Sequence, residues 1–450
     1  MEMEAPVTRQ QTAILCLIPF ILVPIAHGCS HPAINRDAQF LAEIERIPAI
    51  DNHAHPVCPP AVVPGDRDFD ALPVDNLEPE SDPVLLQPSN PNLPLAWKAL
   101  FGFSGTAGTP DGLRRLQQAR DVVRKAKGDK YSVWVLDQSN VETMLGNRVS
   151  LCEGISRPRF AWVPYADALL FPLDNSKLAG NNPDRKVYVP LEDRLLRRYL
   201  TQRGFKQPPW KLTEYLERVV TPTLEEQRHG GAVAEKFEIA YLRKFDFGDP
   251  SSTEAEKVYS QWMGHGPPPE AAYKILQDYL FRYVAGECGR LGMAVHLHRM
   301  AGAGGYFDVA GVNPLLLEPV LNDPRLRKTK FVFVHGGWPY TREITALLEK
   351  PNVFLDYSSQ ALSFSPATLA VTLREWLERN PEKVLYGTDA YPSSDLMGWE
   401  ESLWMANKTA REALALALEG MERDGEVTHE QALRLAHQVL HDNAKSLYSL

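Results

Sequence analysis

The sequence predicts an α/β fold, a (β/α)8 TIM barrel with helical insertions and with a metal site at the carboxyl ends of its strands. Eight short apolar segments alternate with segments of helical periodicity, which is typical of parallel strands joined by helices. Histidines and an aspartate stand where several of these segments end. With 44% hydrophobic and 23% charged residues, the chain of 450 residues has an ordinary globular composition and can bury a large core.

The predicted elements follow the chain in order. Strands are predicted at residues 47–55, 132–136, 160–163, 232–241, 293–298, 330–335, 352–356 and 383–386. Helices are predicted at residues 37–46, 113–127, 191–200, 212–228, 271–289, 314–321, 341–350 and 366–379, with two more beginning at Leu403 and His429. The barrel therefore occupies residues 35–450, with a helical insertion at about 172–231 and closing helices at about 400–450. The Pro-rich segment 56–94 is expected to be a loop or lid over the first strand end.

Residues 1–34 are predicted to be a leader or an N-terminal extension outside the barrel. Residues 13–26 are uncharged and resemble the apolar part of a signal peptide, but they are too short and Pro-interrupted to span a bilayer comfortably. Glu2 and Glu4 against Arg9 make a poor positive start for such a signal. Export through residues 1–29 stays open beside a cytoplasmic location, which is favoured. No stable membrane span is expected in the core.

Charge and cysteine usage exclude several classes of function. The net charge of −9, with no Lys/Arg-rich run, argues against a nucleic-acid surface and leaves a small molecule as the expected substrate. A homo-oligomer remains open. The five cysteines lack CxxC spacing, so neither a disulfide framework nor a cysteine zinc site is expected. Cys58 follows the histidine pair and could line the site, but a filler role is favoured. No G-x-G-x-x-G follows a strand, which disfavours a dehydrogenase.

The first strand ends in I-D-N-H-A-H-P, and the rest of the chain is predicted to be organised around this stretch. Residues two apart in an extended strand point the same way, so His53 and His55 would aim their imidazoles at one point, and Pro56 ends the strand. Two neutral imidazoles make half of a site for zinc, iron, nickel or manganese. The alternative is a partly exposed strand end with two ordinary histidines.

Further histidines end the fifth and sixth predicted strands. His296 and His298 share a face of the fifth strand; His298 lies nearer the mouth and is preferred as the ligand, which makes His296 a supporting or core residue. His335 is followed by two glycines, so either a site histidine or a simple tight turn is expected there.

Two charged residues complete the candidate set. Asp389 follows Y-G-T after the eighth strand and could be a ligand, a base or only the cap of the next helix. Lys236 on the fourth strand could be a carboxylated bridging ligand, a contact for a substrate carboxylate or an exposed lysine.

At this point the motifs D-N-H-A-H-P, V-H-L-H, F-V-H-G-G and Y-G-T-D-A resemble the amidohydrolase superfamily of metal-dependent barrel enzymes. The stretch 293–392, with V-H-G-G-W-P-Y-T-R-E and P-N-V-F-L-D-Y-S, resembles the amidohydrolase-related branch. That branch includes aminocarboxymuconate semialdehyde decarboxylases and the amidohydrolase domain fused ahead of glutamine synthetase. The resemblance covers residues 35–450 and is weak through the insertion.

The resemblance implies residue roles. Its expected metal ligands are His53, His55, His298 and Asp389, with His335 as a catalytic or second-metal histidine. Lys236 and Tyr241 match a K-x-x-x-x-Y pattern of the fused type. The chain has L-H-R-M where relatives often have H-T-G, which leaves substrate contacts near Arg299 open.

The expected activity is metal-dependent hydrolysis of an amide, ester or lactone by a water activated on a divalent metal, with zinc as the first candidate. Asp389 would pass the proton to the leaving group and His335 would polarise the carbonyl. Arg243, Arg299 and Arg342 lie near strand ends and could grip a carboxylate. A metal-dependent decarboxylase of the same superfamily is the alternative reaction, and a non-catalytic barrel is a third reading.

Overall fold

The structure, a computed structural model, describes residues 38–72, 83–302 and 304–450. The predicted leader or extension at residues 1–34 therefore lies outside the described residues, as does part of the Pro-rich loop.

Eight parallel strands form a closed ring, which confirms the predicted barrel. The strands are β1 (Ala49–Ala54), β2 (Val141–Asn147), β3 (Phe160–Val163), β4 (Ala234–Phe237), β5 (Ala294–His298), β6 (Lys330–Val334), β7 (Val353–Asp356) and β8 (Val384–Leu385). They pair in sequence order as β1-β2-β3 and as β4-β5-β6-β7-β8. Val233 N donates to Trp162 O (3.0 Å) and thereby joins β3 to β4. Asn52 N donates to Tyr386 O (2.9 Å), which joins β8 to β1 and closes the ring.

Helices surround this ring. They are α1 (Ala38–Glu45), α2 (Asn92–Phe101), α3 (Pro110–Lys127), α4 (Tyr131–Gln138), α5 (Ser176–Gly180), α6 (Pro183–Gln202), α7 (Leu212–Tyr215), α8 (Thr221–His229), α9 (Ser252–Trp262), α10 (Glu270–Leu291), α11 (Glu318–Leu321), α12 (Thr341–Leu347), α13 (Gln360–Ser363), α14 (Pro366–Leu377), α15 (Trp399–Arg423), α16 (His429–His437) and α17 (Asn443–Tyr448). Helices α5 to α8 fill the segment between β3 and β4. Across the described part of the chain, no helix combines the length and the apolar character needed to cross a lipid bilayer.

The predicted second strand is wrong. Residues 132–136 lie in α4, and the second strand is β2. A short apolar run such as S-V-W-V-L fits a buried helix as well as a strand, because its length is too small for periodicity to decide. Helix α4 buries Val135 and Leu136 in the same cluster as Val141 and Met144 of β2. The strand β2 carries Glu, Gly and Asn, which are uncommon in strands and hide its β character in the sequence.

The fourth strand is also shorter than predicted. It ends at Phe237, and a 3-10 turn over Ile239–Tyr241 follows. Tyr241 therefore belongs to the loop above the strand end rather than to the strand itself.

The lower interior of the barrel is apolar. Its buried members are Ile50, Leu145, Ala161, Val163, Val233, Ala234, Ala294, Val332 and Leu385. Ala444 and Tyr448 of α17 belong to the same cluster, so this helix packs against the barrel interior at the end opposite the candidate site. The barrel is consequently a filled core, and its chemistry is confined to the upper rim.

A disulfide bond joins Cys58 to Cys152, contrary to the expectation drawn from the cysteine spacing. It ties the loop after β1 to the loop after β2 across 94 positions of sequence. Irregular spacing and an odd count gave no hint of this pair, because the two loops become neighbours only when β1 and β2 pair. The remaining described cysteine, Cys288, is buried and free.

Removing this bond should destabilise the barrel. Cys152→Ser is expected to lower the free energy of unfolding by about 2–4 kcal/mol, because the cross-link restricts a long loop in the unfolded chain. Urea unfolding of the oxidised protein and of the variant measures the difference, and the reduced protein should match the variant. Equal midpoints for all three, or two alkylatable thiols at Cys58 and Cys152 in the native protein, would contradict the bond.

Candidate metal centre

Three side chains converge at the upper rim, where β8 meets β1. The Nε2 atom of His53 lies 3.1 Å from Asp389 Oδ1, and the Nε2 atom of His55 lies 3.5 Å from the same oxygen. One ligand atom from each residue lies within 4.8 Å of the others. Both imidazoles are buried and the Asp389 side chain is 14% exposed, so the carboxylate is the part of this group that solvent reaches most easily.

A local irregularity of β1 places these residues on one side. The pairing of β1 with β2 changes register between Asp51 and Ala54. The Asp51 carboxylate points to Thr388 and accepts hydrogen bonds from its backbone N–H (3.0 Å) and from its hydroxyl. The backbone N–H of Asp389 donates to His53 O (2.7 Å). Burial raises the pKa of Asp51 to about 7. Asp389 itself has a positive φ of 58°, a strained conformation that is common at functional sites.

Two more imidazoles stand beside this group. The ring centroid of His335 lies 4.8 Å from that of His53 and 4.7 Å from that of His298. His335 Nδ1 lies 3.9 Å from Asp389 Oδ2. His335 has a φ of 71° and begins a left-handed turn that continues through Gly336 and Gly337, so the residue is both part of the tight turn and part of the site. Among the described residues, the compact three-residue group does not include His298, whose ring lies beside that of His335.

Hydrogen bonds fix the protonated nitrogen of two of these rings. His55 Nδ1 lies 3.2 Å from Phe69 O, and His298 Nε2 lies 3.1 Å from Met300 O. A carbonyl oxygen can only accept, so each of these nitrogens carries the hydrogen. The opposite nitrogen of each neutral ring is then a free lone pair, as metal coordination requires.

Asn147, at the end of β2, holds the His53 ring at Nδ1. Its amide nitrogen lies 2.6 Å from His53 Nδ1 and also donates to Ala54 O (3.3 Å), while its amide oxygen is buried without a partner in the described structure. Asn147 thereby ties the imidazole to the backbone of β1. The other ring nitrogen of His53, Nε2, faces Asp389.

Burial sets the charge state of the donors. It lowers the pKa of His53 and His335 well below the usual range and that of His298 to about 3, so these rings are neutral at pH 7. Burial opposes ionisation of Asp389, but the field of His335 and the hydrogen bond with His55 outweigh it and lower the Asp389 pKa to about 2. Neutral imidazoles with one carboxylate are the donor set that a borderline divalent cation binds. The residues therefore fit a metal ion.

The loop after β1 folds back over His55. Asp70 Oδ2 lies 3.6 Å from His55 Nδ1, and the hydroxyl of Tyr165 donates to Asp70 Oδ1 (3.2 Å). Burial alone would lower the pKa of His55. The carboxylates of Asp70 and Asp389 have a larger combined effect in the opposite direction, so the pKa of His55 lies above its usual value. Asp70 and Tyr165 were not singled out from the sequence, which offered only a polar residue in a Pro-rich loop and a tyrosine two positions beyond β3.

Lys236 and Tyr241 both lie at the site. Lys236 is 1% exposed, and its Nζ lies 3.3 Å from His53 Nε2 and 3.6 Å from Glu238 Oε1. The alternative that Lys236 is an exposed surface lysine is therefore wrong. The ring centroid of Tyr241 lies 4.8 Å from that of His298.

His296 and Arg299 lie apart from the three-residue group. His296 points into the barrel below the site, with its Nε2 atom 2.7 Å from the hydroxyl of Tyr448. The guanidinium of Arg299 is buried and stacked 4.1 Å above the Phe245 ring, and burial lowers its pKa to about 9. Within the described chain, no hydrogen bond or ion pair joins the Arg299 side chain to His53 or Asp389, so the structure does not bring it to the site.

The other two arginines considered from the sequence have partners or lie in solvent. Arg243 forms an ion pair with Asp278 at 2.7 Å. Arg342 has a side chain that is 85% exposed.

Truncating Asn147 should weaken metal binding. Asn147→Ala removes the group that orients His53, and loss of such a supporting contact typically costs about 10–100-fold in affinity. Competition with a fluorescent chelator measures the dissociation constant. Asn322→Ala, a substitution of an exposed asparagine, is the control and should leave the constant unchanged. Equal metal affinity in both variants would contradict the role of Asn147.

The comparisons with known proteins agree with this geometry. A family model described as amidohydrolase matches residues 255–450. The protein fluG of Emericella nidulans is 32% identical over 140 residues, which are 31% of this chain and 15% of that protein, so the match spans a small part of the relative's length. A solved structure from Lactobacillus casei, described as a metal-dependent hydrolase, is 15% identical with a TM-score of 0.58, covering 91% of this chain and 97% of that one.

A second solved structure shares the fold. The glucuronate isomerase of Caulobacter crescentus is 14% identical with a TM-score of 0.56, covering 93% of this chain and 95% of that one. At these identities the likeness shows the fold alone. The fold and the rim of histidines define a barrel enzyme of the metal-dependent class. The family match covers residues 255–450, which contain His298, His335 and Asp389, and this part of the chain is similar to amidohydrolases.

Proposed function

We propose that the protein is a metal-dependent hydrolase that cleaves an amide, ester or lactone of a small molecule. The observation that carries this proposal is the convergence of His53, His55 and Asp389 at 4.8 Å or less, with a neutral His53 ring and an ionised carboxylate. His298 is the further candidate ligand. A divalent cation such as zinc, when bound by these residues, lowers the pKa of water to about 7 and so supplies a nucleophile at neutral pH.

Asp389 is the residue that moves the proton. Its Oδ1 atom faces His53 and His55, while Oδ2 is turned toward His335. The carboxylate can accept the proton of the attacking water at Oδ2 and deliver it to the leaving nitrogen or oxygen. Its partial exposure allows the leaving group to reach it.

His335 acts from the other side, and its hydrogen bonds define how. The hydroxyl of Ser358 donates to Asp356, so its oxygen accepts the hydrogen on His335 Nδ1 (2.9 Å). The Nε2 atom of the neutral ring is then a lone pair. Such a ring suits a metal ligand or a proton acceptor, and it stabilises an oxyanion only after Nε2 has been protonated.

Loss of a proposed ligand should remove both metal and activity. His53→Ala and Asp389→Asn are expected to bind less than one tenth of the metal found in the unaltered protein. Hydrolysis should fall by about 100-fold or more, since the metal contribution amounts to several kcal/mol. Elemental analysis and a panel of amides, esters and lactones provide the measurements.

His229→Ala is the matched control, because His229 is exposed at the end of α8. It should retain metal and activity. Full metal content with undiminished hydrolysis in His53→Ala would remove the proposal. Release of carbon dioxide instead of an amine or alcohol would identify the decarboxylase alternative, which the same ligands can serve.

The compartment is part of the same proposal. Disulfides persist mainly in oxidising surroundings, so the bond between Cys58 and Cys152 favours the export alternative over the cytoplasmic location. Cell fractionation of the expressed full chain tests this, and recovery of a fully reduced protein from the cytosol would argue against it.

A further inference from the structure

We infer that Tyr448 of α17 is a positioning residue that orients His335 through a chain of buried hydrogen bonds. The inference rests on the proposed function, because it concerns how a residue of the metal centre is held. Tyr448 acts from beneath the barrel, on the side opposite the mouth of the site.

Helix α17 is anchored so that its tyrosine enters the barrel. The side-chain amide of Asn443 donates to Pro381 O (2.8 Å) and to Val384 O (2.9 Å), which fixes the start of the helix at the base of β8. Ala444 then packs with the apolar residues of the lower interior. Tyr448 lies one helical turn after Ala444, and its ring packs in the same apolar cluster. Its hydroxyl extends beyond these apolar residues to the buried polar side chains of Asn52 and His296.

The hydroxyl of Tyr448 joins two strands. It donates to Asn52 Oδ1 on β1 (2.5 Å) and lies 2.7 Å from His296 Nε2 on β5. Because a hydroxyl has a single hydrogen, His296 must donate from Nε2. Burial lowers the pKa of His296 to about 3, which is consistent with a neutral ring in this tautomer.

Asn52 passes the contact to β7. Its amide nitrogen donates to Asp356 Oδ2 (2.5 Å), and Asp356 Oδ1 accepts from the backbone N–H of His335 (2.9 Å). The same oxygen accepts the hydroxyl of Ser358, whose oxygen in turn receives His335 Nδ1. Asn52, Asp356 and Ser358 are fully buried, so solvent does not replace any of these contacts.

In this series of hydrogen bonds, only one assignment of donors and acceptors satisfies every contact. If the Tyr448 hydroxyl is lost, Asn52 Oδ1 has no donor within the described residues, and the amide is no longer held with its nitrogen toward Asp356. A rotated amide would bring an oxygen next to the Asp356 carboxylate, which is repulsive. Asp356 and Ser358 would then shift, and His335 would lose both its orientation and its fixed tautomer. A tyrosine that only fills space would have none of these consequences when replaced by phenylalanine.

The test is Tyr448→Phe, which keeps the ring and removes the hydroxyl. Tyr357→Phe is the matched control, because Tyr357 is also fully buried and its hydroxyl has no hydrogen-bond partner in the described structure. Tyr448→Phe should lower kcat by about 10-fold with a smaller change in KM, and weaken zinc binding by about 10-fold. Tyr357→Phe should leave both quantities within about twofold of the unaltered protein.

Imidazole 15N resonances supply a readout that does not depend on turnover. In the metal-free protein labelled at histidine, His335 should be almost wholly the Nδ1–H tautomer. In Tyr448→Phe its nitrogen shifts should move toward a mixture of tautomers. Unchanged His335 shifts, zinc affinity and kcat in a folded Tyr448→Phe would overturn the inference.

A double-mutant cycle tests the route. If Tyr448 acts through Ser358, Tyr448→Phe should add little to the loss of kcat caused by Ser358→Ala, whereas fully additive losses would overturn that route. Should Tyr448→Phe fail to fold, Asn52→Leu interrupts the same chain with the tyrosine ring in place, and it should reproduce the loss of zinc affinity and of the His335 tautomer.

The two proposals fail in different ways. If the unaltered protein shows no metal-dependent hydrolysis, the proposed function fails, while zinc affinity and the His335 shifts still decide the role of Tyr448. If the unaltered protein hydrolyses its substrate and Tyr448→Phe behaves as Tyr357→Phe does, only the inference about Tyr448 fails.

Discussion

The backbone hydrogen bonds between β1 and the end of β8 are the constraint on which the site depends. Asp389 N donates to His53 O at 2.7 Å, and His55 N donates to Ala390 O at 2.8 Å. These two bonds close the barrel and bring a carboxylate next to two imidazoles that lie more than three hundred positions away in sequence. An open sheet with the same strands would keep the apolar core but would separate the ligands.

Burial then turns this proximity into a donor set. A histidine removed from water loses the charged form, and a carboxylate surrounded by imidazoles and Lys236 keeps it. Backbone carbonyls at Phe69 and Met300 choose the tautomers, and Asn147 and Ser358 hold two further rings. Each ring is thus held at one nitrogen by a residue of the barrel, which makes the site rigid before any ligand arrives.

The site is supported from two directions. From above, the disulfide at Cys58 fixes the loop that carries Phe69 and Asp70 back onto His55. From below, α17 packs against the apolar interior, and the hydroxyl of its Tyr448 donates to Asn52 beneath the site. The rim can remain partly open to a small molecule because these supports, rather than substrate, hold its side chains.

The sequence by itself determined the barrel, the strand ends at His53, His298 and His335, and the candidate ligand at Asp389, because alternation and strand-end position are local patterns. Tertiary structure alone decided that β2 begins at Val141 and that residues 132–136 are helical, since only pairing and packing separate two short apolar runs. It also decided the partners Asn147, Asp70, Ser358 and Tyr448 and the disulfide. These contacts join residues 15 to 396 positions apart, and their geometry exists only once strand register and ring closure are fixed.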